Sequence, residues 1–534
     1  MSLVATLLMA VLLAGVSGSG RGLPAKTESG PAQGRKSQQQ GSLPILERAQ
    51  QSIAQGKLEE ARKTLLQGLK TFPHEAALHN FLGVVDAEEN NNQSAEEYFH
   101  TAIQEAPHYS GAYLNLGHLY QAEIKKKPAA FSQALATYQK LLQFDPTNVE
   151  ANYQAALLQM QRGRFEDSLD HLSRLPAGDQ QKPQILALLC VDRAGNGKLR
   201  EAGGDARRLI TSPGLTEEDV VSILPELKAH GPLALQLLEG LNQRHLASVS
   251  TQNKLGILQE QTGRLKEARQ TLDAVAEKEP NDATPLVELA RVANQQQDYR
   301  GALGYLAHAR ALEPQNAAIH FFFGMICVEM DLHQEAYVSL KKAVDLDPDD
   351  PYYNYALGAV LSQREDPRES IRYFKKYCAL EPADPRGDLA LGAAYYYAHD
   401  LNSARSAVLK VAHSKLTAAG ANYFLGRIAN DEGNWSEAVQ YLQVAVRDDS
   451  DYADAYAMLG SAYLNQKAYG EAEKALLRAL HIEPANYLAN LNLMVLYQRT
   501  KDERAAAQAR RFAAVRGERE QRAKLFLRTI RVVP

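Results

Sequence analysis

Residues 317–350 read AAIHFFFGMICVEMDLHQEAYVSLKKAVDLDPDD, and the stretch that follows, 351–384, repeats their punctuation. Glycine stands at 324 and returns at 358; proline stands at 348 and returns at 382. Working outward, a small residue recurs at the same step through Gly256, Ala290, Gly324, Gly358, Gly392, Gly426 and Gly460. A second small column runs through Ala268, Ala302, Ala336, Ser370, Ala404, Ala438 and Ala472. Proline keeps the same phase at Pro280, Pro314, Pro348 and Pro382; Leu416 and Ser450 then hold the place before Pro484. Nearer the start, Gly83 and Gly117 share this spacing, as do Pro73 and Pro107. Three columns in step across many copies are an internal repeat.

Each copy reads as two helices. In AYAMLGSAYLNQ, from Ala455, apolar residues fall at spacings of three and four around Gly460, the pattern of an amphipathic helix. A short turn follows, with Gly56, Gly163, Gly263, Asp331 or Gly433. EAEKALLRALHIEP, ending at Pro484, is a second amphipathic helix. Proline cannot continue the hydrogen-bond ladder and disfavours helical backbone in the residue before it, so it sets the boundary. Glycine or alanine at a crossing lets two helix backbones approach.

These residues resemble the tetratricopeptide repeat (TPR) family, with its 34-residue helix-turn-helix unit. The likeness rests on L-G-x-x-Y at Leu116, Gly117 and Tyr120 and again at Leu459, Gly460 and Tyr463, followed by the alanine, the large apolar residue and the proline. The expected fold is all-α: a right-handed α-solenoid of about 13 units, with a degenerate joint near 177–250. Units begin near Ser42, Ala76, Ser110 and Val149, with an insertion around Ile124 to Ala129. Pro183, Gly195, Gly197, Gly203, Gly204, Pro213, Pro225 and Pro232 interrupt the joint, although TEED at Thr216 looks like a helix start. The expected domains are an N-terminal array over 42–182, a divergent helical joint over 183–248, a C-terminal array over 249–516, and a capping helix and tail over 517–534.

The first residues differ in kind. Leu3 to Val16 is an uncharged apolar run, followed by small residues from Ser17 to Gly20. That pattern predicts a signal peptide over 1–20 and export to the periplasm or beyond, although no basic residue precedes the run. Residues 21–41, rich in Gly, Ser, Gln and Lys, read as a flexible linker.

Composition narrows the function. The 534 residues are 45% hydrophobic and 23% charged, with a formal net charge of −4, so no dominant positive field exists to collect nucleic-acid phosphates. Cys190, Cys327 and Cys378 are far apart in apolar or aromatic surroundings and read as small buried hydrophobes, not as disulfides or zinc ligands. AGNGKLR at 194–200 lacks the first glycine and the final Ser or Thr of a phosphate-binding loop and reads as an inter-helix turn. No HExxH or GxSxG pattern occurs. His79 and His320 read as packing or surface residues. No catalytic residue, metal ligand or cofactor is expected, and an enzyme would have to be built from the repeats themselves.

The resemblance implies that the first helix of each unit lines a concave surface that binds a peptide or helix of a partner protein. Phe321, Tyr352, Tyr355, Tyr396, Tyr397 and Tyr423 fall on its lining positions in four consecutive units, and Arg291, Arg386 and Arg427 fall on them too. Aromatics and arginine are the side chains that carry most interface energy. Within the FFF cluster, Phe323 is expected in the core and Phe321 in the groove, with Phe322 open. The family's carboxylate clamp for chaperone C-termini is not supported: Asn115 and Asn492 suit one position, but the lysines do not follow. The expected function is thus a non-catalytic adaptor, suited to envelope assembly or secretion. A self-assembling homo-oligomeric solenoid is the alternative, and a ligand-processing protein a distant third.

Overall fold

A computed structural model describes residues 32–363 and 366–521, with side chains from 41 to 362 and from 366 to 516. The expected signal peptide and the start of the linker lie outside these residues. Among the described residues every regular element is helical. The chain divides into two compact units, the first ending at Thr262 and the second starting at Gly263.

The first unit opens with α1 (Ala32–Ala54), α2 (Leu58–Thr71), α3 (Ala76–Glu88), α4 (Asn92–Glu105), α5 (Ser110–Glu123) and α6 (Ala129–Phe144). It continues with α7 (Val149–Gln161), α8 (Phe165–Ser173), α9 (Pro183–Gly195) and α10 (Leu199–Thr211). It closes with α11 (Glu217–Val221), α12 (Gly231–Gln243) and α13 (Val249–Gln261). The second unit runs α14 (Leu265–Lys278), α15 (Thr284–Gln295), α16 (Tyr299–Leu312), α17 (Ala317–Glu329), α18 (His333–Leu346), α19 (Pro351–Gln363) and α20 (Pro367–Leu380). It goes on through α21 (Pro385–Tyr397), α22 (Leu401–Val411), α23 (Ala418–Asp431) and α24 (Trp435–Asp448). The last four are α25 (Ala453–Asn465), α26 (Tyr469–Ile482), α27 (Tyr487–Thr500) and α28 (Ala505–Gln521).

Within each unit most helices pack on the one before and the one after, the nearest-neighbour stacking of a repeat array; the exception is short α11, which α10 passes over to pack on α12. The glycine column marks where the two helices of a pair cross. A Cβ built on Gly358 would lie 2.9 Å from Phe374 Cε1, and one on Gly324 would lie 2.7 Å from Leu340 Cγ. The partner stands at the same step along the chain in each case, and likewise for Gly426 and Leu442. For Gly117 it is Tyr138, further along because the insertion at the α5–α6 turn lengthens that pair. The alanine column faces the same crossing: the Ala472 carbonyl lies 3.3 Å from the position a Gly460 Cβ would take.

The proline column behaves as its chemistry demands. Glu279, Glu313, Asp347 and Glu381, each just before a proline, leave helical backbone with φ between −135° and −122°. The inter-helix turn holds a second column: left-handed backbone recurs with the period of the repeat at Gly263, Gln297 and Asp331, and again at His399, Gly433, Lys467 and Lys501. Only some of these are the glycines that the sequence flags. A third column is visible only in the structure. Buried Asn152, Asn354 and Asn490 each donate through Nδ2 to the carbonyl of the proline six residues earlier, at 2.9, 2.9 and 3.1 Å. His79 and His320 occupy the same place and contact the Pro73 and Pro314 carbonyls, so they are loop staples and not general packing residues.

Four expectations are corrected. Helix α1 starts at Ala32, inside the stretch read as a flexible linker; its Gln, Lys and Arg are good helix formers. Gly203 and Gly204 do not interrupt the chain but lie inside α10, where burial of Ala202, Ala206 and Leu209 outweighs glycine's poor propensity. Pro183 and Pro232 sit in the first turns of α9 and α12, where a missing N–H costs nothing. Around Thr216 the expected start is real: Thr216 and Asp219 form a capping box on α11. No separate helix starts at 517; α28 runs unbroken from Ala505 to Gln521, and 522–534 lie outside the described residues.

Candidate functional site

The first helices α17, α19, α21, α23 and α25 lie side by side in the second unit, so their shared face can carry a continuous surface. On α17 and α19, Phe321 stacks on Tyr353 of the next repeat with ring centroids 4.7 Å apart. Phe321, Phe322 and Phe323 are all half-buried. Phe323 packs against two core clusters and has the Arg310 guanidinium 4.2 Å above its ring. Tyr352 stands free of the packing with 49% of its surface exposed. Tyr353 was missed by the sequence reading, which had Tyr352 as the lining residue.

Tyr355 is a correction. It is 8% exposed, and its ring lies 5.6 Å from Phe374 and 4.9 Å from Tyr377. The small contact at Gly358 draws α20 close enough for these rings to close over it. Burial pushes its phenol well above the ordinary value.

Arg386 is half-buried and answered within its own turn. Its guanidinium holds Asp384 through Nε–Oδ1 at 3.0 Å and Nη2–Oδ2 at 2.6 Å, while Tyr377 Oη donates to Asp384 Oδ2 at 2.5 Å. Burial alone would raise the Asp384 carboxyl, but these bonds hold it down to about 2. Arg291 is exposed and pairs with Glu288 on its own helix at 3.1 Å. Neither arginine presents an uncompensated charge.

Arg427 differs. Residues 423, 424 and 427 share one side of α23, since residues three and four apart are neighbours on a helix. Its guanidinium carbon lies 4.4 Å from the Tyr396 ring centre, 5.3 Å from Tyr397, 5.5 Å from Tyr423 and 5.9 Å from Phe424. Nη1 donates to Tyr397 Oη at 2.9 Å and reaches Tyr423 Oη at 3.5 Å. Nε is buried with no acceptor. Cation–π attraction to the rings offsets part of that cost. The walls are themselves fixed. Tyr396 is buried, donates to Asp431 Oδ2 at 2.5 Å, and has its phenol pushed up to about 12, chiefly by burial. Tyr423 is also buried, with Tyr452 stacked on it at 4.9 Å, so both tyrosines line the cage from within and are not presented singly. The sequence reading found four of the cage members but not Phe424, whose apolar ring at a core-facing position gave no signal of contact with a cation.

Chemistry elsewhere is muted. Cys190 and Cys327 are buried and Cys378 half-buried, all free, with burial pushing the Cys190 thiol up to about 12 and the other two to about 11. Gly197, in the AGNGKLR stretch, is the left-handed residue of the α9–α10 turn. Among the described residues no cluster of His, Cys, Asp or Glu has metal-binding geometry, and no helix is long and apolar enough to cross a membrane.

Two models of the tetratricopeptide repeat match the chain, one over residues 129–189, 293–360 and 429–494, the other over 46–117 and 389–453. Together they span more than half of it, and the chain belongs to the TPR family. Among solved structures, it is similar to the APC/C hetero-tetramer Cut9–Hcn1 at 13% identity, over 85% of this chain and 96% of that one, with a TM-score of 0.37. PilW, a type IV pilus biogenesis factor, matches at 20% identity over 40% of this chain and 98% of its own, with a TM-score of 0.35. YrrB, described as a TPR protein with an unusual peptide-binding site, matches at 21% identity over 41% and 95%, with a TM-score of 0.26.

Proposed function

We propose that this TPR protein is a non-catalytic adaptor whose second unit binds a peptide or helical segment of a partner protein along the face of α17, α19, α21 and α23. The observation that carries this reading is the coincidence of exposed Tyr352, the Phe321–Tyr353 stack and the unneutralised Arg427 on one series of adjacent helices. Aromatic rings and an arginine without a counter-ion are what a partner segment can cover with gain. The apolar run at Leu3 to Val16 supports export, and an exported scaffold suits envelope-associated assembly or secretion.

The test is crosslinking capture from native extract with the full chain as bait, beside its Tyr352→Ser variant. A protein held by the native bait and lost with the variant supports the face. Equal capture moves the site elsewhere on the chain. Recovery of the bait alone, with light scattering that grows with concentration, favours the homo-oligomeric alternative.

A further inference from the structure

We propose that Arg427, in its aromatic cage, anchors an internal aspartate or glutamate side chain of the bound segment. The inference rests on the peptide-binding reading above and names the chemistry of one contact in it.

Arg386 and Arg427 lie on this face, and Arg291 lies on α15, the first helix of the preceding repeat. Arg291 is paired with Glu288 and Arg386 with Asp384. Arg427 pairs with no carboxylate among the described residues. A guanidinium carries its charge at every relevant pH and offers five N–H donors. Here Nη1 serves the Tyr397 and Tyr423 phenol oxygens, and the Tyr396 phenol also interacts with the guanidinium. Nε is buried, which leaves Nη2 as the donor for an incoming acceptor. The four rings fix the orientation of the fork and shield part of it from water, which strengthens a charge-assisted bond formed there. The neighbouring carboxylates are engaged elsewhere: Asp431 accepts from Tyr396 and Asp454 accepts from Asn486 Nδ2 at 2.7 Å.

Charge and position specify the occupant. One cation with Asp431 one turn further along its own helix, and Asp454 acting on the Tyr423 wall of the cage, suits a monoanion better than a dianion such as a phosphate. The aromatic row continues on both sides of the cage, through Tyr352 and the Phe321–Tyr353 stack in one direction and Tyr452 in the other. A segment that ended at Arg427 would leave one of these sides uncovered. An internal side chain lets the segment run past the cage and cover both.

The probe is a fluorescent, N-acetylated and C-amidated decapeptide alternating Leu and Glu, compared with its Gln-for-Glu counterpart and with that counterpart bearing a free C-terminal carboxylate. Fluorescence anisotropy with the full chain is expected to give about ten-fold tighter binding of the Glu peptide than of the Gln peptide. Arg427→Met should abolish that difference while helical circular dichroism stays intact, and Arg427→Lys should restore part of it. The overall negative charge of the chain opposes an acidic ligand, so general electrostatics would give the reverse preference. The Glu-against-Gln comparison on the native chain needs no variant to fold. Equal binding of both peptides overturns the proposal, as does a preference that survives Arg427→Met or a gain confined to the free C-terminus. Binding of none of the three also overturns it, whereas the peptide-binding face itself stands or falls by the Tyr352→Ser capture.

Discussion

At the scale of the residue, the buried polar side chains of this chain are placed to satisfy backbone. Asn354 is 2% exposed and gives its amide to the Pro348 and Asp350 carbonyls, closing the loop that leads into α19. Asn354→Ala leaves those carbonyls short of a donor, and a loss of about 1–3 kcal/mol in urea unfolding is the expected result. Asp192 is the counter-example. It is fully buried, and its one hydrogen bond is from Ser168 at 2.6 Å. Burial pushes its carboxyl up to about 7, against about 3.9 for an unfolded aspartate. The folded state therefore holds the proton more tightly than the unfolded one. Stability from this group is fully present below about pH 4 and is lost as pH rises towards 7. Asp192→Asn removes that decline, so the variant should melt above the native chain at pH 8 and level with it near pH 4. Melting curves at the two pH values check it.

At the scale of the element, the turn and the crossing each have a steric requirement, and the sequence meets them unevenly. Gln297 takes φ 59° at a place where Gly263 and Gly433 stand in other repeats. Left-handed backbone is strained for a residue with a Cβ, and Gln297 is exposed with no packing to lose. Gln297→Gly is expected to stabilise by about 0.5–1 kcal/mol, the relief of strain being offset in part by a freer unfolded chain. A fall in thermal midpoint would show that the side chain, not the backbone, decides this turn. The crossing is stricter. With Phe374 already 2.9 Å from where a Gly358 Cβ would lie, Gly358→Leu forces α19 and α20 apart and should cost about 1–3 kcal/mol or more.

At the scale of the whole molecule, the consequence of nearest-neighbour packing is that damage stays local. Helices α19 and α20 touch α18, α21 and little else. Gly358→Leu should therefore loosen backbone amides over roughly 317–397 in hydrogen–deuterium exchange, with 42–123 protected as before. A uniform loss of protection along the chain would mean that the array unfolds as one cooperative body.

The repeat and its helix boundaries were legible in the sequence because they depend on local chemistry: the periodic glycine, alanine and proline columns each answer a backbone constraint that acts within one pair of helices. The aromatic and arginine residues of these helices were also readable, but not their surroundings. Tyr352 and Tyr355 are three residues apart with the same side chain, and one is exposed while the other lies under Phe374 and Tyr377. Arg386 and Arg427 carry the same charge, and one is neutralised by Asp384 while the other is held by rings from two repeats. These differences arise from which neighbour each side chain meets, and neighbours from separate repeats are brought together only by tertiary packing. The sequence by itself determined a stack of paired helices; the packing decided which of its tyrosines are core, and which arginine still has a charge to offer.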